Sequence, residues 1–302
     1  MHVHRTLPVV TVFAPAKLNL FLEILGKRND GFHEIETLMV PVGLSDSLAF
    51  QPTRGDDIEC DCHWHYSRLA LRAGTAVTAA LTDDNLVVRA ARRLREAAGI
   101  SSGASMTLVK RIPMAAGMAG GSSDAAAALV AANIGWGLNW PVARLSEIAS
   151  ELGSDIAFFL QGQPAVCRGR GEQVAAQAGL APLDFVIVQP PAGLSTAEVY
   201  AHCRPASTPR PVGALVEAWR RGRPVEVGRL LYNRLEDAAA TISPWIQRLR
   251  AEFDRLDFLG HQMTGSGSAY FGICRHAKHA RRLAAALRSR GLTQVFAVSG
   301  LT

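Results

Sequence analysis

Pro113-Met114-Ala115-Ala116-Gly117-Met118-Ala119-Gly120-Gly121-Ser122-Ser123-Asp124-Ala125-Ala126-Ala127-Ala128 is a glycine- and serine-rich stretch that runs straight into alanines. Glycine allows positive φ and close approach of backbone to a ligand, and alanine is the strongest helix former. The pattern predicts a loop at residues 113–124 and a helix beginning near Ser122 or Ser123. A helix start presents unpaired N–H groups and the positive end of the helix dipole, which together attract anions, phosphate above all. The same pattern also serves as a plain connector. It carries no Gly-Lys-Ser/Thr and no Gly-x-Gly, so it is neither a Walker A loop nor a dinucleotide fingerprint. The loop alone leaves both readings open.

On either side of it, residues 105–110 read as a strand feeding the loop and residues 141–152 as a helix opened by Pro141 and stopped by Gly153. Asp155 then stands where an N-cap residue would stand. A helix over 84–98 is expected, capped by Asp83 or Asp84, with Leu86, Ala90 and Leu94 on its apolar face. Near the start, residues 9–13 and 17–25 read as strands. Leu18, Leu20, Leu22 and Ile24 alternate with Lys17, Asn19, Phe21 and Glu23. That period puts Lys17 and Asn19 on one face, lining either a polar site or an exposed sheet surface. Asp30-Gly31 marks a hairpin turn, followed at once by Phe32 and His33, a ring and an imidazole suited to a flat ligand or to a packed turn. Beyond Gly162 a hairpin at 165–174, a strand at 184–189, helices near 196–202, 212–221, 225–232 and 242–256, strands at 258–264 and 269–274, a helix at 276–290 and a strand at 293–298 predict an α+β sandwich with an antiparallel sheet.

Composition narrows the classes. A chain of 302 residues with 48% hydrophobic and 19% charged residues builds ordinary cores in one large or two smaller domains. The net charge of +6 favours an anionic ligand. The basic residues form no long block, however, and Arg89, Arg92, Arg93 and Arg95 read as a solvated helix face, so no nucleic-acid partner is expected. Five scattered cysteines form no disulfide framework and point to a reducing compartment, and with no signal-peptide pattern a cytoplasmic location is expected. The uncharged run 125–143 is interrupted by Asn133, Gly135, Gly137, Asn139 and Pro141, so it reads as a buried helix and a turn rather than a membrane span. Cys60-Asp61-Cys62-His63-Trp64-His65 has metal-binding residue types without a second ligand pair at zinc spacing, and reads as a surface loop.

Three pieces stand in order along the chain: Pro15-Ala16-Lys17-Leu18-Asn19-Leu20, residues 113–123, and Met263-Thr264-Gly265-Ser266-Gly267-Ser268-Ala269. Together they resemble the three motifs of the GHMP small-molecule kinase superfamily over nearly the whole length. The resemblance implies a two-domain fold, with a ribosomal-S5-like ATP-binding domain over 1–162 and a ferredoxin-like α/β sandwich over 163–302. Asp30-Gly31-Phe32-His33, Glu36-Thr37-Leu38, Asp84 to Ala90, Gly153-Ser154-Asp155 and Ser195 to Val199 make it most similar to members that phosphorylate the 2-hydroxyl of a cytidine-diphosphate-linked methylerythritol. Other members act on homoserine or mevalonate, and a non-catalytic ligand sensor is a further alternative.

The resemblance also implies roles. Asp155 would take the substrate's hydroxyl proton, and Lys17 would keep that carboxylate ionised and stabilise charge in transfer. Pro113, Met114, Ala115, Ala116, Gly117, Met118, Ala119, Gly120, Gly121, Ser122 and Ser123 would wrap the ATP phosphates, with Asn85 and Lys110 near the adenine. Asn19, Phe32 and His33 would hold the cytidine diphosphate, and Thr196 the methylerythritol end. Mg²⁺ is expected with ATP, its protein ligands unassigned, and the chain is expected as a monomer or weak homodimer without a membrane partner. Phe32 stands where the family often has Tyr, and Ala115, Ala116 and Ala119 replace frequent loop glycines.

Overall fold

The computed structural model describes residues 1–6, 8–64, 78–80, 82 and 84–302. His65 and Asp83 lie outside the described residues. The chain forms two compact units, neither of them one continuous segment. Unit 1 holds residues 1–16, 44–112 and 119–162; unit 2 holds 17–43, 113–118 and 163–302. Lys17 and the first half of the glycine loop belong to unit 2.

The larger sheet has the order β1-β2-β3-β6-β4-β5, with β1 His2–Thr6, β2 Val9–Lys27, β3 His33–Thr53, β4 Ile58–Trp64, β5 Thr78–Ala80 and β6 Gly103–Lys110. The two strands expected at 9–25 are one, β2, because Pro15 falls just beyond the last residue paired to β1, Phe13. There a missing N–H costs little. β4 runs parallel to β6, from Ile58 beside Ala104 to Trp64 beside Lys110. A parallel pair needs a crossover, and helix α1, Leu86–Ala98, lies on the chain between them. The Cys60 segment is therefore sheet, not a surface loop. Cys60 and Cys62 point inward, and burial, chiefly, pushes the Cys60 thiol up to about 12. No cluster of three or more His, Cys, Asp or Glu side chains suited to a metal occurs among the described residues. Among the described residues the cysteines form no disulfide.

Helix α2, Gly120–Gly135, buries Ala125, Ala126, Ala127, Ala128 and Leu129 completely, five consecutive residues that between them cover every side of a helix, so it has no polar face to show. Its small residues allow close packing: a methyl on Gly135 would come within 2.5 Å of the Phe50 ring. Helices α3, Val142–Leu152, and α4, Ile156–Gln161, complete the layer. Among the described residues no helix is long and apolar enough to cross a membrane.

Unit 2 is built on the antiparallel sheet β11-β12-β9-β13, with β9 Asp184–Gln189, β11 Gly260–Met263, β12 Tyr270–Cys274 and β13 Gln294–Ser299. Numbered along the chain the order is 2-3-1-4, the ferredoxin-like arrangement. The hairpin β7, Ala165–Gly169, with β8, Gln173–Ala176, joins β3 at Ile35–Met39. The helices expected between β9 and residue 232 form as α5, Thr196–His202, α6, Gly213–Arg220, and α7, Pro224–Arg229, and the short β10, Tyr232–Asn233, then pairs with β2 at Phe21 and Leu22. The single helix expected at 242–256 is two, because Pro244 restarts the chain as α9, Pro244–Asp254, after α8, Glu236–Ile242, at the extended Ser243. Helices α9 and α10, Ala277–Ser289, contribute Leu249, Phe253, Leu283 and Leu287 to a core shared with Val186, Val188 and Tyr270.

Candidate functional site

In unit 2, Leu18, Leu20, Leu22 and Ile24 are buried on one face of β2, and the opposite face is buried too. Lys17 is 5% and Asn19 2% exposed, which removes the reading of an exposed sheet surface. A buried amine and amide require partners. Lys17 Nζ donates to Asn19 Oδ1 at 2.5 Å, and Asn19 Nδ2 donates to Thr37 Oγ1 at 2.8 Å. Thr37 Oγ1 donates in turn to the Phe21 carbonyl at 2.6 Å. Thr264 Oγ1 accepts from the Asn19 backbone N–H at 3.0 Å. Gln262 Nε2 donates to the Asn19 and Leu20 carbonyls, while Asn233 Nδ2 donates to the Met263 and Gly265 carbonyls at 2.8 Å each. The third motif is thus anchored from both sides.

The first half of the glycine loop is strapped to the same place. Ser268 N–H donates to the Ala115 carbonyl (3.3 Å), Ala269 N–H to the Ala116 carbonyl (3.2 Å) and Lys17 N–H to the Met118 carbonyl (3.2 Å). Gly117, at φ +70°, sits so close that a methyl group would stand 2.1 Å from the Thr264 carbonyl oxygen. A methyl on Gly265 would lie 2.8 Å from the Gly117 oxygen and 3.1 Å from Lys17 Nζ. Lys17, Asn19, the loop and the third motif, distant in sequence, share one packed cluster. Ala115 and Ala119 adopt φ of +50° and +53°, the left-handed region where glycine is comfortable and alanine is strained.

Beside this cluster Thr196 opens helix α5 behind Ser195, whose Oγ accepts from Glu198 N–H. Thr196 Oγ1 lies 2.9 Å from Ser266 Oγ. Phe32 is 52% exposed, with the Arg170 guanidinium 5.0 Å from its ring centre. The His33 ring meets Tyr200 at 5.1 Å. Burial first, and then the charge of Lys27, lower the pKa of His33, so its imidazole is neutral at neutral pH.

In unit 1, α2 begins at Gly120, two residues earlier than expected. Its N-cap, Ala119, offers no side-chain acceptor. Ser123 N–H is the first to bond back, to the Ala119 carbonyl at 3.0 Å. This leaves the amides at the head of the helix without intrahelical partners, and Ser123 Oγ is buried with no partner. Lys110, at the end of β6, is buried between Asp46 and Asp124. Burial lowers its pKa, but the two carboxylates outweigh that and raise it, so it stays charged. Asn85 caps α1, its Oδ1 accepting from Val87 N–H at 2.9 Å, in place of the expected Asp83 or Asp84. Asp155 occupies the N-cap position of α4, yet its carboxylate makes no capping bond there. The plain structural reason for an aspartate at that position is therefore absent.

Sequence reasoning missed Thr37, Asp46, Arg170 and Tyr200 as neighbours of the expected residues. Each is met only through pairing or packing across long separations. Spacing along the chain carried no signal for Arg170 or Tyr200.

The profile described as "GHMP kinases N terminal domain" matches residues 85–163, and "GHMP kinases C terminal" matches 215–292. The chain is 40% identical over 282 residues to the 4-diphosphocytidyl-2-C-methyl-D-erythritol kinase of Pelotomaculum thermopropionicum, covering 93% of this chain and 94% of the relative. It is 35% identical over 290 residues to the Bacillus cereus protein of the same name, covering 95% of each. A crystal structure of 4-(cytidine 5'-diphospho)-2C-methyl-D-erythritol kinase superposes with TM-score 0.79 at 35% identity, covering 97% of this chain and 99% of that one. Homoserine kinase from Cytophaga hutchinsonii superposes with TM-score 0.73 at 19% identity over 100% and 97%, a likeness of fold alone.

Proposed function

Since the chain belongs to the GHMP kinase family, we propose that it transfers the γ-phosphoryl group of ATP to the 2-hydroxyl of 4-diphosphocytidyl-2-C-methyl-D-erythritol, a step of the non-mevalonate isoprenoid route. The observation that carries this reading is the burial of Lys17 and Asn19 against the strapped glycine loop and the third motif. A buried ammonium is costly to desolvate, and its position against a glycine loop of the phosphate-binding kind supports a reaction on an anionic group.

Phosphoryl transfer demands positioning and charge stabilisation more than covalent help from the protein. Residues 113–123 would hold the nucleotide phosphates through their backbone amides, with Ser123 Oγ an unpartnered buried hydroxyl at the same helix start. Asp155, whose carboxylate caps nothing, takes up the proton of the attacking hydroxyl. Lys17 supplies positive charge to the group in transfer. Phe32 and neutral His33 hold the cytosine, and Asn19 orients Lys17 through its Oδ1. Thr196 lies near the methylerythritol end. Asn85 and Lys110 serve the adenine side by shaping the start of α1 and the end of β6. Mg²⁺ would arrive with the nucleotide, coordinated chiefly by its phosphates and water, consistent with how this ion binds.

The test is a coupled ADP-release assay with the cytidylyl substrate, homoserine and mevalonate side by side. Turnover on the cytidylyl substrate is expected. Turnover only on homoserine or mevalonate would overturn the assignment.

A further inference from the structure

Asp46, Lys110 and Asp124 come from three elements, β3, β6 and α2, and meet in the interior of unit 1, each less than a tenth exposed. One ammonium faces two carboxylates, and the two are not equivalent. Asp46 accepts from Lys110 Nζ, from Arg111 N–H and from Ile112 N–H, the last at 2.8 Å. Three donors, one of them charged, satisfy this carboxylate. Among the described residues Asp124 accepts from Lys110 alone, at 2.5 Å through Oδ2, and its Oδ1 is buried with no partner. A buried anion with an orphaned oxygen is the costlier of the two to maintain.

We propose that Asp124 is a positioning residue held as a neutral carboxylic acid at neutral pH, so that the anion-binding head of α2 carries no competing negative charge. Lys110 and Asp46 then cancel, and the cluster is neutral; with Asp124 ionised it would carry a net charge of minus one. Lys110 Nζ stands 3.3 Å from where a methyl on Gly120 would lie, so the cluster abuts the first residue of the helix. An ionised Asp124 four residues further on would itself engage the positive end of the helix dipole and repel an incoming phosphate.

Burial raises the pKa of Asp124 most, Lys110 pulls it back, and the Asp46 charge raises it again, to about 8. Among the described residues, the other titratable groups that its charge reaches are Cys60 and Cys62 of β4, thiols whose pKa burial raises. The buried faces of α1, α3 and α4 that complete the layer are apolar.

The role at the helix head rests on reading residues 113–123 as the nucleotide-phosphate loop, and the test separates the two claims. The ¹³C carboxyl signal of Asp124, assigned by its loss in Asp124→Asn, is followed from pH 5.5 to 9.5. It is expected to titrate between pH 7 and 9, and Asp46→Asn is expected to move that titration to lower pH by removing the competing charge. ATP affinity of the wild type is expected to weaken about three- to tenfold over the same interval, the size of a charge effect at a helix terminus. Asp124→Asn should flatten that dependence, which loss of packing alone would not do. A carboxylate already ionised at pH 6 overturns the proposal, and the wild-type titration decides this even if a variant fails to fold. Titration near 8 with the same ATP profile in Asp124→Asn overturns the role at the helix head. Absence of ATP binding in every protein, with titration near 8, refutes the loop reading and the helix-head role while leaving the neutral Asp124 established.

Discussion

Replacing Gly117 by Ala tests whether the glycine loop must lie where it does. Two costs follow from the structure. The φ of +70° is left-handed, which costs an L-residue about 1–2 kcal/mol. The new methyl would also stand 2.1 Å from the Thr264 carbonyl oxygen and 2.9 Å from the Gly267 nitrogen, both backbone atoms without rotamer freedom. The loop has to retreat by more than ~1 Å to reach ordinary contact at ~3.4 Å. The bonds at risk are those from Ser268 and Ala269 to the Ala115 and Ala116 carbonyls, each worth about 0.5–1.5 kcal/mol. Losing one or both brings the total to about 2–4 kcal/mol, or a fall in Tm of roughly 4–10 °C for a chain of this size. Thermal unfolding reads the first effect and KM for ATP the second, which should rise at least about tenfold as the amides shift. Gly121→Ala is the control. A methyl there meets nothing within 4 Å, and helix propensity predicts a gain of up to about 1 kcal/mol. Wild-type Tm and ATP KM in Gly117→Ala would refute the close approach of loop and third motif.

Asp155→Asn should keep the wild-type Tm, because the carboxylate caps nothing, while kcat falls at least ~10²-fold as for loss of a general base; a lowered Tm with preserved kcat would reverse the assignment. Asn85→Ala should cost about 0.5–2 kcal/mol of stability through the lost cap, with Asn85→Asp retaining it in thermal melts. Ala119→Gly should relieve about 1–2 kcal/mol of left-handed strain, offset by about 0.4–1 kcal/mol of unfolded-state entropy, leaving a small net gain in Tm. Glu23 is buried and accepts from Arg234 at 2.8 Å and from the N–H groups of Ile24 and Arg210 at 3.0 Å each. Burial opposes its ionisation, but these donors prevail and lower its pKa below 4.5. A lowered carboxylate stabilises above its unfolded pKa, and that contribution is lost as pH falls through the folded value. Glu23→Gln should therefore flatten the acid side of the stability curve below pH ~4.5.

Much of this was legible in the residues themselves. The period of two over Leu18 to Ile24, the Gly-Ser run leading to alanines and the Asp30-Gly31 turn are local signals, because strand alternation, helix propensity and positive φ are properties of short segments. Order and spacing of three motifs then sufficed for the family. What local pattern does not contain is partnership. Asn85 became a cap and Asp155 did not, although both are good capping types, since the choice depends on how the chain enters each helix. Residues 60–64 became strand through pairing with β6, and Lys17 was buried because Thr264 and Gly265, some 245 residues on, close over its face of β2. The same holds for the charge of Asp124. Its residue type says anion, and only burial beside the Asp46 charge, against the pull of Lys110, makes the neutral acid the cheaper state. Short-range geometry is written in neighbouring residues, whereas burial, and with it the protonation and pairing of polar groups, is set by contacts that exist only once distant segments have packed.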